Sequence, residues 1–322
     1  MKSLLTCVLA ITYWLVSCTV SAVTLPGIPE FIDEMVAKHQ FKRAELESLF
    51  DHAQYRPDVI EAITRPATIK PWPEYRAAFV NQQRVTSGVA FWKKYHATLR
   101  RASRRYGVPE EIIVAIIGVE TIYGQNAGNF RAIDALTTLA FDYPRRAEFF
   151  RAELENYLLL ARAQQFDLLA VRSSYAGALG IPQFMPSSYR NYAVDFNGNH
   201  KIDLLHEDRD AIGSVANYMK SYGWIANEPV AELATVSEQM CVGDSQTPRT
   251  LADWTSAGIA TQKTVAQDKV ARLVDFTLAD GKEFWLAFNN FEVITKYNNS
   301  DFYAMSVLQL AEAIKAARHL NR

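Results

Sequence analysis

Apolar residues recur at helical spacing along most of this chain, and the pattern is clearest between residues 109 and 124. Ile112, Ile113, Ile116 and Ile117 fall on one face of the predicted helix, because residues three and four apart are neighbours there. Pro109 at the first helical position and two acids in the first turn favour a helix start. The next position on this apolar face is occupied by Glu120.

The same periodicity predicts helices elsewhere. Short helices with breaks at Pro66, Pro71 and Pro73 are expected from residue 27 to about 98, followed by one long helix over Val85–Tyr106. Four further predicted helices are Ala132–Phe141, Arg146–Phe166, Asp210–Tyr222 and Tyr303–Leu320. The residue pattern changes from helical to β-prone after residue 225. The β-prone segments are Val230–Thr235 and Val270–Phe276, and turn residues occur at Gly243-Asp244 and Asp280-Gly281.

These patterns predict a mainly α protein of the α+β class. We expect a leader over residues 1–22, an N-terminal helical region over 23–106, and a helical core over 107–224. These are followed by a small β-rich insertion over 225–284. A closing segment over 285–322 completes the core and the helical region.

Composition narrows the possible functions. The chain has 322 residues, 49% of them hydrophobic and 21% charged, which is typical of a globular protein with a substantial core. Its net charge is −1. Bulk electrostatic binding to nucleic acid or to anionic lipid is therefore not expected.

The N-terminus predicts export. Residues 1–3 carry one lysine, residues 4–16 are apolar, and small polar residues follow, as in a secretory signal. Two processing routes remain open: cleavage after Val20-Ser21-Ala22, or lipidation of Cys18 in the lipobox-like Leu15-Val16-Ser17-Cys18. Because Cys7 lies in the leader, Cys241 has no partner once Cys18 is removed or lipidated, and folding without disulfides is expected.

Glu120 is the leading candidate for chemistry. Its place on an apolar face favours desolvation, and its place in the last helical turn adds the partial negative charge of the helix end. Both effects favour a carboxyl group that keeps its proton near neutral pH, as a general acid does. The alternative is a glutamate that turns outward into water.

Two polar-aromatic segments predict a neutral ligand. The loop over Ser173–Tyr189 combines small residues with Ser174, Tyr175 and Gln183 as hydrogen-bonding groups. A second cluster is formed by Tyr297–Ser300 with Tyr303. Aromatic rings beside uncharged donors and acceptors suit a sugar better than a charged substrate.

Five motifs carry a family resemblance: Gly118–Gly124, Asp134–Leu139, Phe141–Phe149, Gly177–Tyr189 and Ala211–Tyr218. From about residue 27 to the C-terminus the chain resembles the family B membrane-bound lytic murein transglycosylases. The resemblance implies a lysozyme-like core with an added helical domain and a small β-rich domain. It also implies that Glu120 is the sole catalytic acid/base and that six residues line the glycan groove: Ser174, Gln183, Tyr218, Tyr297, Asn298 and Tyr303.

The implied reaction cleaves the β-1,4 bond between N-acetylmuramic acid and N-acetylglucosamine and forms 1,6-anhydromuramic acid, with no cofactor for the chemistry. A hydrolytic muramidase and a non-catalytic glycan-binding protein are the competing hypotheses. The protein is expected to be a monomer in the periplasm that binds peptidoglycan strands. An outer-membrane anchor through Cys18 is a further candidate. Cell-wall synthesis or remodelling proteins are candidate protein partners. No nucleic-acid partner is expected.

A separate segment resembles a calcium loop. Asp195, Asn197, Asn199, the Lys201 carbonyl and Asp210 are candidate ligands for a weak structural calcium or sodium ion. His200 stands in place of the usual turn glycine, and His206 in place of the bidentate glutamate at position twelve. The alternative is a polar turn held by its own side-chain hydrogen bonds.

Overall fold

The computed structural model describes residues 25–65, 70–237 and 247–320. The predicted leader, all three cysteines and the Gly243-Asp244 turn lie outside these ranges. Within them the helices are α1 Ile28–His39, α2 Arg43–His52, α3 Pro57–Thr64, α4 Trp72–Phe79, α5 Gln82–Lys94, α6 His96–Tyr106, α7 Glu110–Thr121, α8 Ala132–Asp142, α9 Ala147–Gln164, α10 Pro186–Tyr192, α11 Asp208–Ser221, α12 Leu251–Ser256, α13 Asn289–Tyr297 and α14 Asp301–Leu320. The strands are β1 Phe130–Arg131, β2 Arg172–Ser173, β3 Ala231–Val236, β4 Arg249–Thr250, β5 Ile259–Thr261, β6 Val270–Leu278 and β7 Gly281–Ala287.

Helix α7 is the central element of the fold. Nine of its twelve residues are buried, including the four isoleucines of the predicted apolar face. It packs against α5, α6, α11 and α14. The predicted helix is confirmed, although Pro109 caps it from outside and the first helical residue is Glu110. A helix enclosed in this way holds the side chains at its end in fixed positions.

The single long helix predicted over Val85–Tyr106 is wrong. The chain bends at Tyr95, which separates α5 from α6 with φ −109° and ψ 22°. The Tyr95 ring packs on Phe91, with centroids 4.8 Å apart, and its hydroxyl donates to the Asp208 carboxylate. These tertiary contacts fix the bend, and local helix propensity does not report them.

The small sheet has the order β4-β6-β7-β3-β5, and all its neighbouring strands are antiparallel. One face packs with α12 around Trp254 and Leu273 as a separate small core. On the opposite face Phe276 packs against Trp72 of α4, with ring centroids 4.6 Å apart. The last strand extends to Ala287, three residues past the predicted insertion.

No helix in the described ranges is both long enough and apolar enough to cross a membrane.

Candidate active site

Glu120 lies in the last turn of α7, where the sequence pattern places it. Its neighbour Thr121 is buried, and the Thr121 hydroxyl donates to the Ile181 carbonyl at 2.8 Å while accepting from the Gly124 amide at 2.9 Å. The end of α7 is therefore tied to the loop that carries Gln183. Glu120 itself is partly buried, and its side chain lies between this loop and α14.

The turn after Glu120 is held in an unusual conformation. Ile122 and Tyr123, which precede Gly124, adopt left-handed φ values of 52° and 60°. Such values are strained for a β-branched residue, so the surrounding structure must impose them. The Tyr123 hydroxyl donates to the Arg84 carbonyl of α5 at 2.9 Å.

Two helical glycines make room for this tyrosine. A Cβ atom at Gly118 or at Gly88 would lie 2.4 Å from the Tyr123 hydroxyl oxygen. The ring therefore fills a notch between α5 and α7 and anchors the helix end directly after Glu120. Gly128 allows the chain to approach Ser173 closely, since a Cβ there would lie 2.1 Å from the Ser173 carbonyl oxygen.

Among the described residues, the hydrogen-bond partner of the Glu120 carboxylate is Tyr303 of α14. The tyrosine hydroxyl donates to Glu120 Oε1 at 2.5 Å. Burial raises the pKa of Glu120 to about 7 from its usual 4.5, although this hydrogen bond acts in the lowering direction. Near neutral pH the group is therefore present in both protonation states, which general acid and base catalysis requires.

The titratable groups that respond to Glu120 are tyrosines. Burial and the charge of Glu120 raise the pKa values of Tyr75, Tyr297 and Tyr303 above the usual range. Among the described residues, no carboxylate contributes to the pKa shift of Glu120. The site therefore has one carboxyl group surrounded by phenol rings.

Tyr75 is the site residue that sequence reasoning missed. It lies on α4, and its ring packs against Phe79 and Phe302 at centroid distances of 5.0 and 5.4 Å. In the sequence it is one of several aromatic residues in a short amphipathic helix, so it is indistinguishable from a core residue. Its proximity to Glu120 is purely a tertiary contact.

Three predicted groove residues form one aromatic cluster. Tyr297 and Tyr303 stack with centroids 6.3 Å apart, and Tyr297 contacts Tyr218 at 4.9 Å. Their hydroxyls are held internally, because Tyr297 donates to the Pro182 carbonyl at 2.5 Å and Tyr218 donates to the Lys296 carbonyl at 2.7 Å. These rings therefore form an apolar cluster beside Glu120, in which Tyr297 is partly exposed and Tyr218 and Tyr303 are buried.

Gln183 and Ser174 are positioned by backbone contacts. The Gln183 amide nitrogen donates to the carbonyls of Ala127 and Gly180, at 3.1 and 2.9 Å. Its amide oxygen is then the atom available to a ligand. Ala127 and Gly180 also line a cavity of about 430 Å³. The Ser174 hydroxyl accepts from the Ala178 amide at 3.1 Å.

Two other predicted residues, Tyr175 and Asn298, lie on the surface. Tyr175 is 43% exposed, and Asn298 ends α13 as an exposed residue. No described contact connects either side chain to Glu120.

The other buried acids have structural partners. Glu153 accepts from the Ser187 hydroxyl at 2.6 Å and from the Ser187 amide at 2.9 Å, at the start of α10. Asp134 pairs with Arg131 and accepts from the Gln54 amide. No described hydrogen bond connects either acid to Glu120, whereas the environment of Glu120 suits acid/base chemistry.

A family model described as the transglycosylase SLT domain matches residues 25–312. The chain belongs to this family. A membrane-bound lytic murein transglycosylase B of Escherichia coli K12 is 42% identical over 303 residues, covering 91% of this chain and 84% of the relative.

Several similar solved structures carry ligands, among them the following two. E. coli lytic transglycosylase Slt35 in complex with calcium matches with a TM-score of 0.87 and 42% identity, covering 93% of this chain and 96% of Slt35. SltB3 from Pseudomonas aeruginosa in complex with NAG-anhNAM-pentapeptide matches with a TM-score of 0.81 and 30% identity, covering 89% of this chain and 78% of SltB3. The lysozyme-like, mainly helical fold with a small sheet is confirmed.

In this SLT-family chain the loop over residues 195–210, which resembles a calcium-binding loop, is held together by hydrogen bonds to its own side chains. Asp195 accepts from the amides of Gly198, Asn199 and His200, and these bonds lower its pKa although burial opposes them. Asp210 accepts from the amides of Phe196, Asn197 and Asp203. Burial raises the pKa of Asp210, and the charge of Asp195 acts in the same direction.

The donor set of this loop fits a weak cation site. Among the described residues, no group of three or more His, Cys, Asp or Glu side chains is arranged to hold a metal. The five candidate ligands comprise two carboxylates, Asp195 and Asp210, and three neutral oxygens, whereas Asp203 of the same loop accepts from the Leu205 and His206 amides. Two nearby negative charges favour a hard cation, but this charge count is below that of a tight calcium loop.

Proposed function

We propose that this protein is a lytic murein transglycosylase that cleaves the β-1,4 bond between N-acetylmuramic acid and N-acetylglucosamine with Glu120 as its sole acid/base. One observation carries the proposal: a carboxyl group with a pKa of about 7 lies among tyrosines and has no described carboxylate partner. Hydrolytic glycosidases ordinarily use two carboxyl groups. A single group favours an internal nucleophile supplied by the substrate.

In the first step the neutral Glu120 acts as the acid. Its proton passes to the bridging glycosidic oxygen, and the bond from that oxygen to C1 of the muramoyl residue breaks. The N-acetyl group of the same sugar stabilises the positive charge that develops at C1. The Glu120 carboxylate formed in this step is stabilised by the Tyr303 hydroxyl, which already lies 2.5 Å from Oε1.

In the second step the ionised Glu120 acts as the base. It removes the proton from the muramoyl C6 hydroxyl while the C6 oxygen closes onto C1. The product is a 1,6-anhydromuramoyl end, and no water is consumed. Glu120 regains its proton, so the enzyme is ready for another cycle. A pKa near 7 suits both roles, since neither protonation state is strongly favoured.

The surrounding residues would bind the glycan. Tyr297 offers partly exposed ring surface, Tyr218 and Tyr303 form the buried wall behind it, and Gln183 offers its amide oxygen. Ser174 lies on the loop that Gly128 approaches closely. We include Tyr175 and Asn298 as outer contacts, because their exposure leaves them accessible to peptidoglycan beyond the buried cluster.

The remaining assignments concern location and ions. We place the protein in the periplasm, with the outer membrane as its anchor if Cys18 is lipidated. Asp195, Asn197, Asn199, Asp210 and the Lys201 carbonyl would hold a structural calcium or sodium ion. Such an ion would stabilise the loop between α10 and α11, and the chemistry at Glu120 would not require it.

The mass of the products tests the reaction. Digestion of purified sacculi should release muropeptides with anhydro ends, each lighter by one water than the corresponding reducing end. Glu120→Gln should abolish release while retaining the fold, as judged by circular dichroism. Reducing muramic acid ends alone would establish a muramidase, and full activity of Glu120→Gln would exclude the proposed acid/base.

A further inference from the structure

The aromatic cluster at Glu120 continues outward as a row of tyrosines. From Tyr303 and Tyr297 it passes to Tyr218, and then to Tyr222, whose ring centroid lies 4.5 Å from that of Tyr218. Tyr192, the last residue of α10, completes the row at 5.1 Å from Tyr218 and 5.4 Å from Tyr222. The rings are thus in unbroken contact from the buried carboxylate to the protein exterior, and the outermost ring, Tyr222, is exposed.

The outer end of the row differs from the inner end in exposure. Tyr303 and Tyr218 are 2% and 6% exposed, whereas Tyr222 is 39% exposed. Tyr222 is the C-cap residue of α11, and its amide donates to the Tyr218 carbonyl at 3.0 Å, one turn earlier in the helix. The nearby Ile225 is 48% exposed and enlarges the apolar surface at this end.

The hydroxyl groups show the same contrast. The inner three hydroxyls donate to Glu120, Pro182 and Lys296 at 2.5 to 2.7 Å. Those of Tyr192 and Tyr222 meet each other at 3.4 Å, which is long for an O–H···O bond. They can exchange this contact for the hydroxyls of a ligand. Tyr192 and Tyr222 together form an aromatic platform. Its Tyr192 side is held in place, because the Asn217 amide nitrogen donates to the Tyr192 carbonyl at 2.9 Å.

We infer that Tyr192 and Tyr222 form a distal saccharide subsite, which binds a sugar of the same glycan strand whose scissile bond lies at Glu120. The inference rests on the proposed function and extends it to chain-length preference. A neutral aromatic platform at the end of a neutral aromatic row suits the apolar face of a sugar ring. A strand long enough to reach the platform would bind better than a short fragment.

Substrates of two lengths test the subsite. Tyr222→Ala should lower kcat/KM for long glycan strands about fivefold, which corresponds to about 1 kcal/mol for one stacked ring. For a tetrasaccharide the loss should be much smaller. Tyr222→Phe keeps the ring and loses only the hydroxyl, so it should restore most of the long-strand value. Phe149→Ala removes an aromatic ring of similar exposure, 38%, outside the row and should show no chain-length effect.

Binding provides a readout that is independent of turnover. In a Glu120→Gln background, Tyr222→Ala should weaken the Kd for long strands about fivefold. Equal losses for both substrate lengths, or no loss for long strands, would overturn the subsite. Failure of the proposed function has another signature: the unaltered enzyme would release no anhydro ends from either substrate, whereas the binding comparison would still report on Tyr222.

Discussion

Replacing Tyr303 with phenylalanine tests how the protonation of Glu120 is set. The substitution keeps the buried ring and removes the hydroxyl that donates to Glu120 Oε1 at 2.5 Å. A hydrogen bond to a charged group contributes about 1.5–3 kcal/mol. Because about 1.4 kcal/mol corresponds to one pH unit, losing the bond should raise the pKa of Glu120 by about 1–2 units from its value of about 7.

The direction of this change in the pKa of Glu120 follows from the protonation state that the hydrogen bond stabilises. The tyrosine hydroxyl favours the ionised carboxylate, so without it the carboxyl group holds its proton to higher pH. The first step needs the protonated form, and kcat/KM of the unaltered enzyme should therefore fall as pH rises through about 7. In Tyr303→Phe this fall should lie at higher pH, and the plateau should be lower because the base step loses a stabilising partner.

The assay is the release of anhydro-ended muropeptides from glycan strands between pH 4 and 10. Tyr297→Phe is the matched control, since its hydroxyl donates to the Pro182 carbonyl and not to Glu120. That variant should keep the position of the alkaline fall. A lower plateau in Tyr303→Phe with no displacement of the fall would refute the electrostatic role of the hydroxyl.

Three further outcomes are expected. Glu120→Gln should raise the free energy of unfolding, measured in urea, by up to about 3 kcal/mol at pH 8 and by little at pH 4. The reason is that the pKa of Glu120 is about 7 in the folded state and 4.5 in its usual range, so the wild-type protein loses stability as pH rises between these values. An equal effect at both pH values would contradict this. Gly118→Ala should cost about 1–3 kcal/mol through contact with Tyr123, and a Tyr123→Leu background should remove most of that cost. Calcium at 10 mM should stabilise the protein by about 1–3 kcal/mol in thermal unfolding, and Asp210→Asn should abolish the increment; an equal increment from magnesium would argue against a calcium-specific site.

The sequence pattern predicted the local part of the site well. The period of the isoleucines placed Glu120 in the last turn of α7, and glycines and small residues marked the loop that carries Gln183. Such features depend on residues a few positions apart. Helix α10, which lies partly inside this predicted loop, was not anticipated, since its seven residues are mostly polar or aromatic.

The contacts that pattern reasoning missed are between distant segments. Tyr75 lies 45 positions before Glu120 in the chain, and no periodicity connects them. The left-handed turn at Ile122 and Tyr123 depends on a ring held by Arg84, so helix-ending rules pointed to Gly124 instead. The bend at Tyr95 is fixed by Asp208 for the same kind of reason.

The anchoring of α7 has a consequence for how the protein can be divided. The helix end that presents Glu120 is held by Arg84 and Gly88 of α5, and the carboxylate takes its hydrogen bond from Tyr303 of α14. Helices α5 and α14 both lie outside residues 107–224. An excised lysozyme-like segment would carry the acid without the contacts that orient it and tune its proton affinity. We therefore expect catalytic competence to require the assembled chain, including the helix α5 that holds the end of α7.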